Sequence, residues 1–173
     1  MKKRIALVIA HNGYQPIEYG TTKKVLEQAG AQVITVSNNK GFATDKDGKS
    51  TKVDMTLEQI SLKDYDAIFL IGGPGALDHL DNQVSYTVMR EAADNNKPFG
   101  AICIASRILA KAGVLKKKKA TGWDGDDKLS SIFAEHGVEY IHQDVVTDGI
   151  IITATDPSAA QAFGEAIVTL LQL

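Results

Sequence analysis

Cysteine is nearly absent: of 173 residues only Cys103 carries a thiol, so no disulfide can close within the chain and oxidation has no resolving partner there. Long apolar runs are missing too. Met1-Lys2-Lys3-Arg4 leads into only six apolar residues before His11, too few for a membrane span or the core of a secretory leader. The cytoplasm is therefore the expected compartment. Excess charge is lacking as well, the formal net charge being -2, which gives no footing for nucleic acid or an anionic membrane. The one basic cluster, Lys116 to Lys119, reads as a solvated turn after a helix. No Ser/Pro-rich linker, repeat or low-complexity tract interrupts the chain, so residues 1–173 are expected to form one domain. A chain of this size buries roughly two thirds of its unfolded surface. No metal or cofactor is called for.

Two nucleotide-binding signatures fail on the residues present. A dinucleotide fold places Gly-x-Gly-x-x-Gly after its first strand, where this chain has His11-Asn12-Gly13-Tyr14-Gln15-Pro16. Gly48-Lys49-Ser50 lacks the earlier glycine and the strand-to-helix passage of a phosphate loop. A receiver-domain reading fails as well, since Ala10-His11 and Ile71-Gly72 stand where acidic residues are needed.

What is present is an alternation of apolar runs and helical periodicity. Ile5 to Ala10 is continuous and apolar, as in a parallel strand buried on both faces. Ile17 to Ala29 reads as a helix ended by Gly30, Val33 to Val36 as a second strand, and Gly41 to Val53 as a hairpin around Asp47-Gly48. Thr56 and Gln59 read as a capping box opening a short helix. Strands are predicted at Ala67 to Ile71, Pro98 to Ile102 and near Ala120-Thr121, and helices from about Asn82 to Asp94 and Lys128 to His136. A hairpin turns at Asp148-Gly149, and Asp156-Pro157 opens the closing helix. Right-handed crossovers make this a doubly wound α/β fold: a mostly parallel sheet with helices on both faces, in the flavodoxin-like style.

Ligands in such a sheet bind beyond the carboxyl ends of the strands. The loops there carry His11 to Glu18, Gly72 to His79, and Cys103. Cys103 sits in Ala101-Ile102-Cys103-Ile104-Ala105, between a strand and a helix, where small residues two positions away on either side let the two backbones approach. That is the pattern of a nucleophile elbow. A helix N-terminus at that point is expected to lower the thiol pKa. Free amides in the Gly72-Gly73-Pro74-Gly75 loop could form an oxyanion hole.

With Glu18, Ile71-Gly72-Gly73 and Ala101-Ile102-Cys103 in that order on those loops, the chain resembles the DJ-1/PfpI family, also called ThiJ/PfpI, a relative of class I glutamine amidotransferases. The resemblance extends through Leu109 to Leu115, Lys119-Ala120-Thr121 and the Asp144 to Gly149 hairpin. It implies a reactive elbow cysteine at Cys103, a Glu18 carboxyl hydrogen-bonded to its sulfur, and a homodimer or larger homo-oligomer. Gly73 and Ile104 are then the oxyanion amides, and Gly72, Pro74, His79, His11 and Trp123 the expected pocket lining.

Departures from the family pattern narrow the expectation. PfpI-type proteases carry His after the nucleophile and a Glu from a neighbouring subunit, whereas Ile104 and Leu77 stand at those places here. Trp123 stands where DJ-1-like members have a His, and Asp78 and His79 are the candidate substitutes. Peptidase activity is not expected. Two readings stay open: an enzyme in which Cys103 adds to a small reactive carbonyl, such as a 2-oxoaldehyde or its protein adduct, with Glu18 shuttling the proton, and a redox sensor or chaperone-like stress protein in which peroxide oxidises Cys103.

Overall fold

The computed structural model describes residues 2–173. Its centre is β1 (Arg4–Ile9), whose residues from Ile5 onward are all fully buried, as the unbroken apolar run requires. A short β2 (Asn12–Tyr14) follows, then α1 (Pro16–Gln28), in which Pro16 occupies the first turn and the Gln15 side chain accepts the Ile17 amide. After β3 (Gln32–Ser37) the chain makes the expected hairpin, β4 (Phe42–Asp45) and β5 (Ser50–Lys52), before the edge strand β6 (Met55–Thr56). Next come β7 (Ala67–Leu70), α2 (Ala76–Leu80), α3 (Gln83–Asp94) and β8 (Phe99–Ile102), then α4 (Ser106–Ala112). The last part holds β9 (Lys119–Ala120), α5 (Leu129–Glu135), β10 (Glu139–Tyr140), β11 (Val145–Asp148), β12 (Ile151–Ala154) and α6 (Ala160–Leu171).

The main sheet has the order β11-β12-β8-β7-β1-β3-β6 and is parallel except for β11. From β1 the chain first steps to β3 and later returns to β7 on the other side, so the winding reverses between β1 and β7. Right-handed crossovers in opposite directions put their helices on opposite faces. Accordingly α1 packs with α6, and α3 with α4.

The crevice at the reversal point is where a doubly wound sheet binds ligands.

One local expectation needs correction. Gln59 does accept the Thr56 amide and hydroxyl, at 3.4 and 3.1 Å, but a turn follows instead of a helix. Between Thr56 and β7 the chain makes only that turn and the single 3-10 turn Leu62–Asp64. The expected strand near Ala120 is present as β9, and it pairs with β10 in a separate two-stranded sheet. Helix α2 carries too few residues for a periodic pattern and was not legible in the sequence. Among the described residues no helix is long and apolar enough to cross a membrane.

Candidate active site at the Cys103 elbow

Strand β8 delivers the chain directly into a 3-10 turn, Cys103–Ala105, which leads into α4. Cys103 takes φ = 66°, left-handed territory that a non-glycine residue enters only when its surroundings hold it there. Its carbonyl is held from two sides, by the Ser106 hydroxyl at 3.0 Å and the Trp123 amide at 3.2 Å. Ala101 and Ala105 are fully buried beside it, as the elbow spacing anticipates.

The loop after β7 closes on the turn. A Cβ at Gly72 would fall 2.6 Å from the Cys103 Cβ and 2.8 Å from Glu18 Oε2, so only glycine allows all three residues to meet. Gly73, at φ = 122°, is likewise confined to glycine. The Gln15 amide donates to the Gly72 carbonyl at 2.9 Å, tying the start of α1 to the same loop.

Glu18 is fully buried on the first turn of α1. Its Oε2 accepts the Gly72 amide at 2.9 Å, and the carboxyl also engages the Cys103 thiol. Among the described residues Oε1 has no hydrogen-bond partner of ordinary geometry. Burial is the main reason the Glu18 pKa rises from its ordinary 4.5 to about 7; the Cys103 and Gly72 hydrogen bonds oppose the rise, and the Asp156 charge adds to it. A carboxyl of that kind holds a proton near neutrality and can give it up or take it back.

The thiol does not follow the expectation of a depressed pKa. Burial pushes Cys103 up, the Glu18 charge pushes it further, and the Ile104 and Gly73 amides pull it down without offsetting the burial. The helix-dipole argument names a real effect but omits the larger one. With Cys103 only 9% exposed, loss of hydration dominates. The Glu18 contribution acts only where that carboxyl is ionised, so it is small well below pH 7 and full above it.

A cleft of about 340 Å³ opens over the sulfur, lined by Gln15, Gly73, Pro74, Cys103, Ile104, Trp123 and Pro157. Gly73, Pro74, Ile104 and Trp123 lie where the sequence put them, and Gly72 lies behind the thiol. His11 and His79 do not line this cleft. His11 opens instead onto a second cavity of about 560 Å³, with Asn38, Asn39, Lys40, Thr56, Glu58 and Gln59, while His79 Nδ1 lies 3.5 Å from Asn38 Nδ2. The reason is topological: both loops reach the carboxyl edge of the sheet, but their histidines turn toward the end of β3, away from β8. Gln15 and Pro157 were not singled out from the sequence. Each immediately flanks or begins a helical segment at the carboxyl edge, and that position was the available signal.

A sequence profile of the DJ-1/PfpI family matches residues 3–170. The chain belongs to the DJ-1/PfpI family. It is 32% identical to Deglycase PfpI of Pyrococcus furiosus over 168 residues, covering 96% of this chain and 98% of the relative. Among solved structures, the ThiJ/PfpI domain protein of Brachyspira murdochii superposes with a TM-score of 0.93 at 26% identity, covering 99% and 98% of the two chains. DJ-1beta of Drosophila melanogaster gives a TM-score of 0.89 at 25% identity, over 99% of this chain and 91% of that one. The flavodoxin-like α/β sandwich is thus the family's own architecture, with the elbow, Glu18 and the Gly72-Gly73 loop at its reversal point.

Proposed function

We propose that this DJ-1/PfpI protein is a cofactor-free hydrolase or lyase acting on small reactive carbonyls, of the glyoxalase or deglycase kind, with Cys103 as nucleophile and Glu18 as its proton carrier. The observation that carries the reading is the fully buried Glu18, poised near pH 7 against the only thiol of the chain, behind a cleft that Cys103 lines together with mainly apolar groups. Relatives named as deglycases support it.

For a 2-oxoaldehyde the steps balance without an outside oxidant. The sulfur adds to the aldehyde carbon, its proton moves to Glu18, and the new alkoxide is met by the Gly73 and Ile104 amides before it is protonated. Glu18 then removes the hydrogen from that carbon and returns a proton to the neighbouring one. The first carbon is thereby oxidised to a thioester and the second reduced to a hydroxyl-bearing carbon. Water cleaves the thioester, releasing a 2-hydroxy acid and restoring the thiol. With a protein adduct as substrate, the amine or thiol of the adduct leaves carrying a proton from Glu18. The test is consumption of methylglyoxal with formation of lactate. Cys103→Ala is expected to abolish both, and a wild-type protein that leaves methylglyoxal untouched overturns the reading.

A specific observation favours a second reading, oxidation sensing. The Ile104 and Gly73 amides converge on the sulfur itself, and such donors stabilise an oxidised sulfur as well as an alkoxide. Peroxide would convert the thiolate to sulfenate with release of water, and a second equivalent would give sulfinate, with protonated Glu18 donating to an oxygen. Intact mass after stoichiometric peroxide tests it, one or two added oxygens on Cys103 being the expected result and an unchanged mass the contrary one.

Homo-oligomerisation in the cytoplasm belongs to the same proposal, supported by the exposure of Ile17 (56%) and Phe42 (64%). Sedimentation of the purified protein tests it, a monomer at micromolar concentration being the contrary outcome.

A further inference from the structure

One wall of the cleft is held by a buried charge that the chemistry above does not use. Arg107 lies four residues after Cys103 on α4, with its side chain 5% exposed. Its guanidinium forks onto Asp126, Nη1 donating to Oδ2 at 3.0 Å and Nη2 to Oδ1 at 2.5 Å. Nη2 also donates to the Trp123 carbonyl at 3.2 Å, and the guanidinium carbon sits 5.5 Å from the centre of the Trp123 ring. The ring is gripped from the loop side too, since a Cβ added at Gly125 would overlap its six-membered portion.

Burying an arginine costs several kcal/mol unless the partners are well placed, and an apolar side chain of similar volume would commonly hold a fold as well or better. Core stability therefore does not explain the residue. What the arginine alone supplies is a rigid fork that ties the elbow helix to a surface loop carrying the one aromatic side chain lining the cleft. The Asp126 carboxyl is held down at about 2 by that fork, so the tie persists across ordinary pH.

We propose that Arg107 is a positioning residue which, through its fork to Asp126, fixes the Trp123 ring as a wall of the Cys103 cleft, and that this wall selects carbonyl compounds by the bulk of the group beside the reacting carbon. The selection of turned-over substrates rests on the carbonyl reading of Cys103; the positioning of the wall does not.

Trp123 is the only tryptophan of the chain, so its emission reports on the wall directly. The experiment compares wild type with Asp126→Asn and Arg107→Lys by acrylamide quenching of Trp123 and by the ratio of Cys103 alkylation rates with N-phenylmaleimide and iodoacetamide. KM and kcat are then measured separately for phenylglyoxal and methylglyoxal. Both variants are expected to raise quenching and to shift the bulky-to-small alkylation ratio in favour of the bulky reagent by about tenfold, the lower end of what one pocket contact discriminates. KM for phenylglyoxal is expected to move more than kcat, and Asp126→Glu to restore part of the effect. A merely structural role would lower stability without changing the ratio. Quenching and ratio unchanged from wild type overturn the proposal, and if Arg107→Lys fails to fold, the loop variant Asp126→Asn decides alone. Absence of turnover in the wild type would defeat the carbonyl reading, while the quenching and alkylation ratio would still decide whether Arg107 sets the wall.

Discussion

The His11 cavity and the Cys103 cleft lie at the carboxyl ends of neighbouring strands, one beyond β1, β3 and β6 and the other beyond β1, β7 and β8. The first is the larger, about 560 against 340 Å³, and is richer in polar side chains. Yet the smaller one has beside it a residue in left-handed backbone, a glycine whose missing Cβ would collide with Cys103 and Glu18, and a fully buried carboxyl moved to near neutrality. Strain and buried charge persist only where surrounding structure enforces them. Size and polarity describe a hollow; enforced strain and a displaced proton describe chemistry.

That contrast is broken most sharply by single substitutions on either side. Cys103→Ala should lower methylglyoxal turnover roughly a thousandfold or more, as loss of a nucleophile does, whereas His11→Ala should leave it near the wild-type rate. A large loss in the His11 variant would move the chemistry to the wrong hollow.

The next effect is on stability against pH. The folded pKa of Glu18, about 7, lies above its ordinary 4.5, so between those values the native protein binds the extra proton. Its contribution is therefore complete below about pH 4.5 and is lost as pH passes 7, which at 1.36 kcal/mol per unit amounts to about 3 kcal/mol. Glu18→Gln should remove that decline, making the variant more stable relative to wild type at pH 8 than at pH 5 in urea titrations. Parallel behaviour at both pH values would mean that Glu18 is not buried as described.

Smaller still is the difference between two glycines. Gly72→Ala forces a Cβ onto the Cys103 and Glu18 side chains and should cost about 2 to 3 kcal/mol together with thiol reactivity. Gly41→Ala, beside the His11 cavity at φ = 89° with open space around it, should cost about 1 kcal/mol and leave the thiol alone. Equal effects on Cys103 alkylation would show that the Gly72 contact is not specific.

Much of this was legible in the chain itself. Continuous apolar runs identified the parallel strands, and Ala101 and Ala105 around Cys103 marked the elbow, because close backbone approach leaves a trace in residue size. Glu18 was legible through its order and spacing relative to Gly72-Gly73 and Cys103 in the family pattern. The histidines misled because a loop's place on the sheet edge does not say which way its side chains turn. Five-residue α2 has no period to detect, and the Arg107 to Trp123 contact joins segments whose proximity depends on packing. The thiol was misjudged for a related reason: a helix start can be read from sequence, but the depth to which it is buried cannot.

The central claim is that Cys103 and Glu18 form one coupled acid–base pair, and the pH profile of Cys103 alkylation by iodoacetamide in wild type and Glu18→Gln tests it most directly. Ionisation of Glu18 near pH 7 should hold back thiolate formation in the wild type, giving a shoulder there and slower alkylation than in the variant at pH 8 to 9. The variant should rise in a single step. Superimposable profiles would contradict the pairing, and with it the role given to Glu18 in both functional readings.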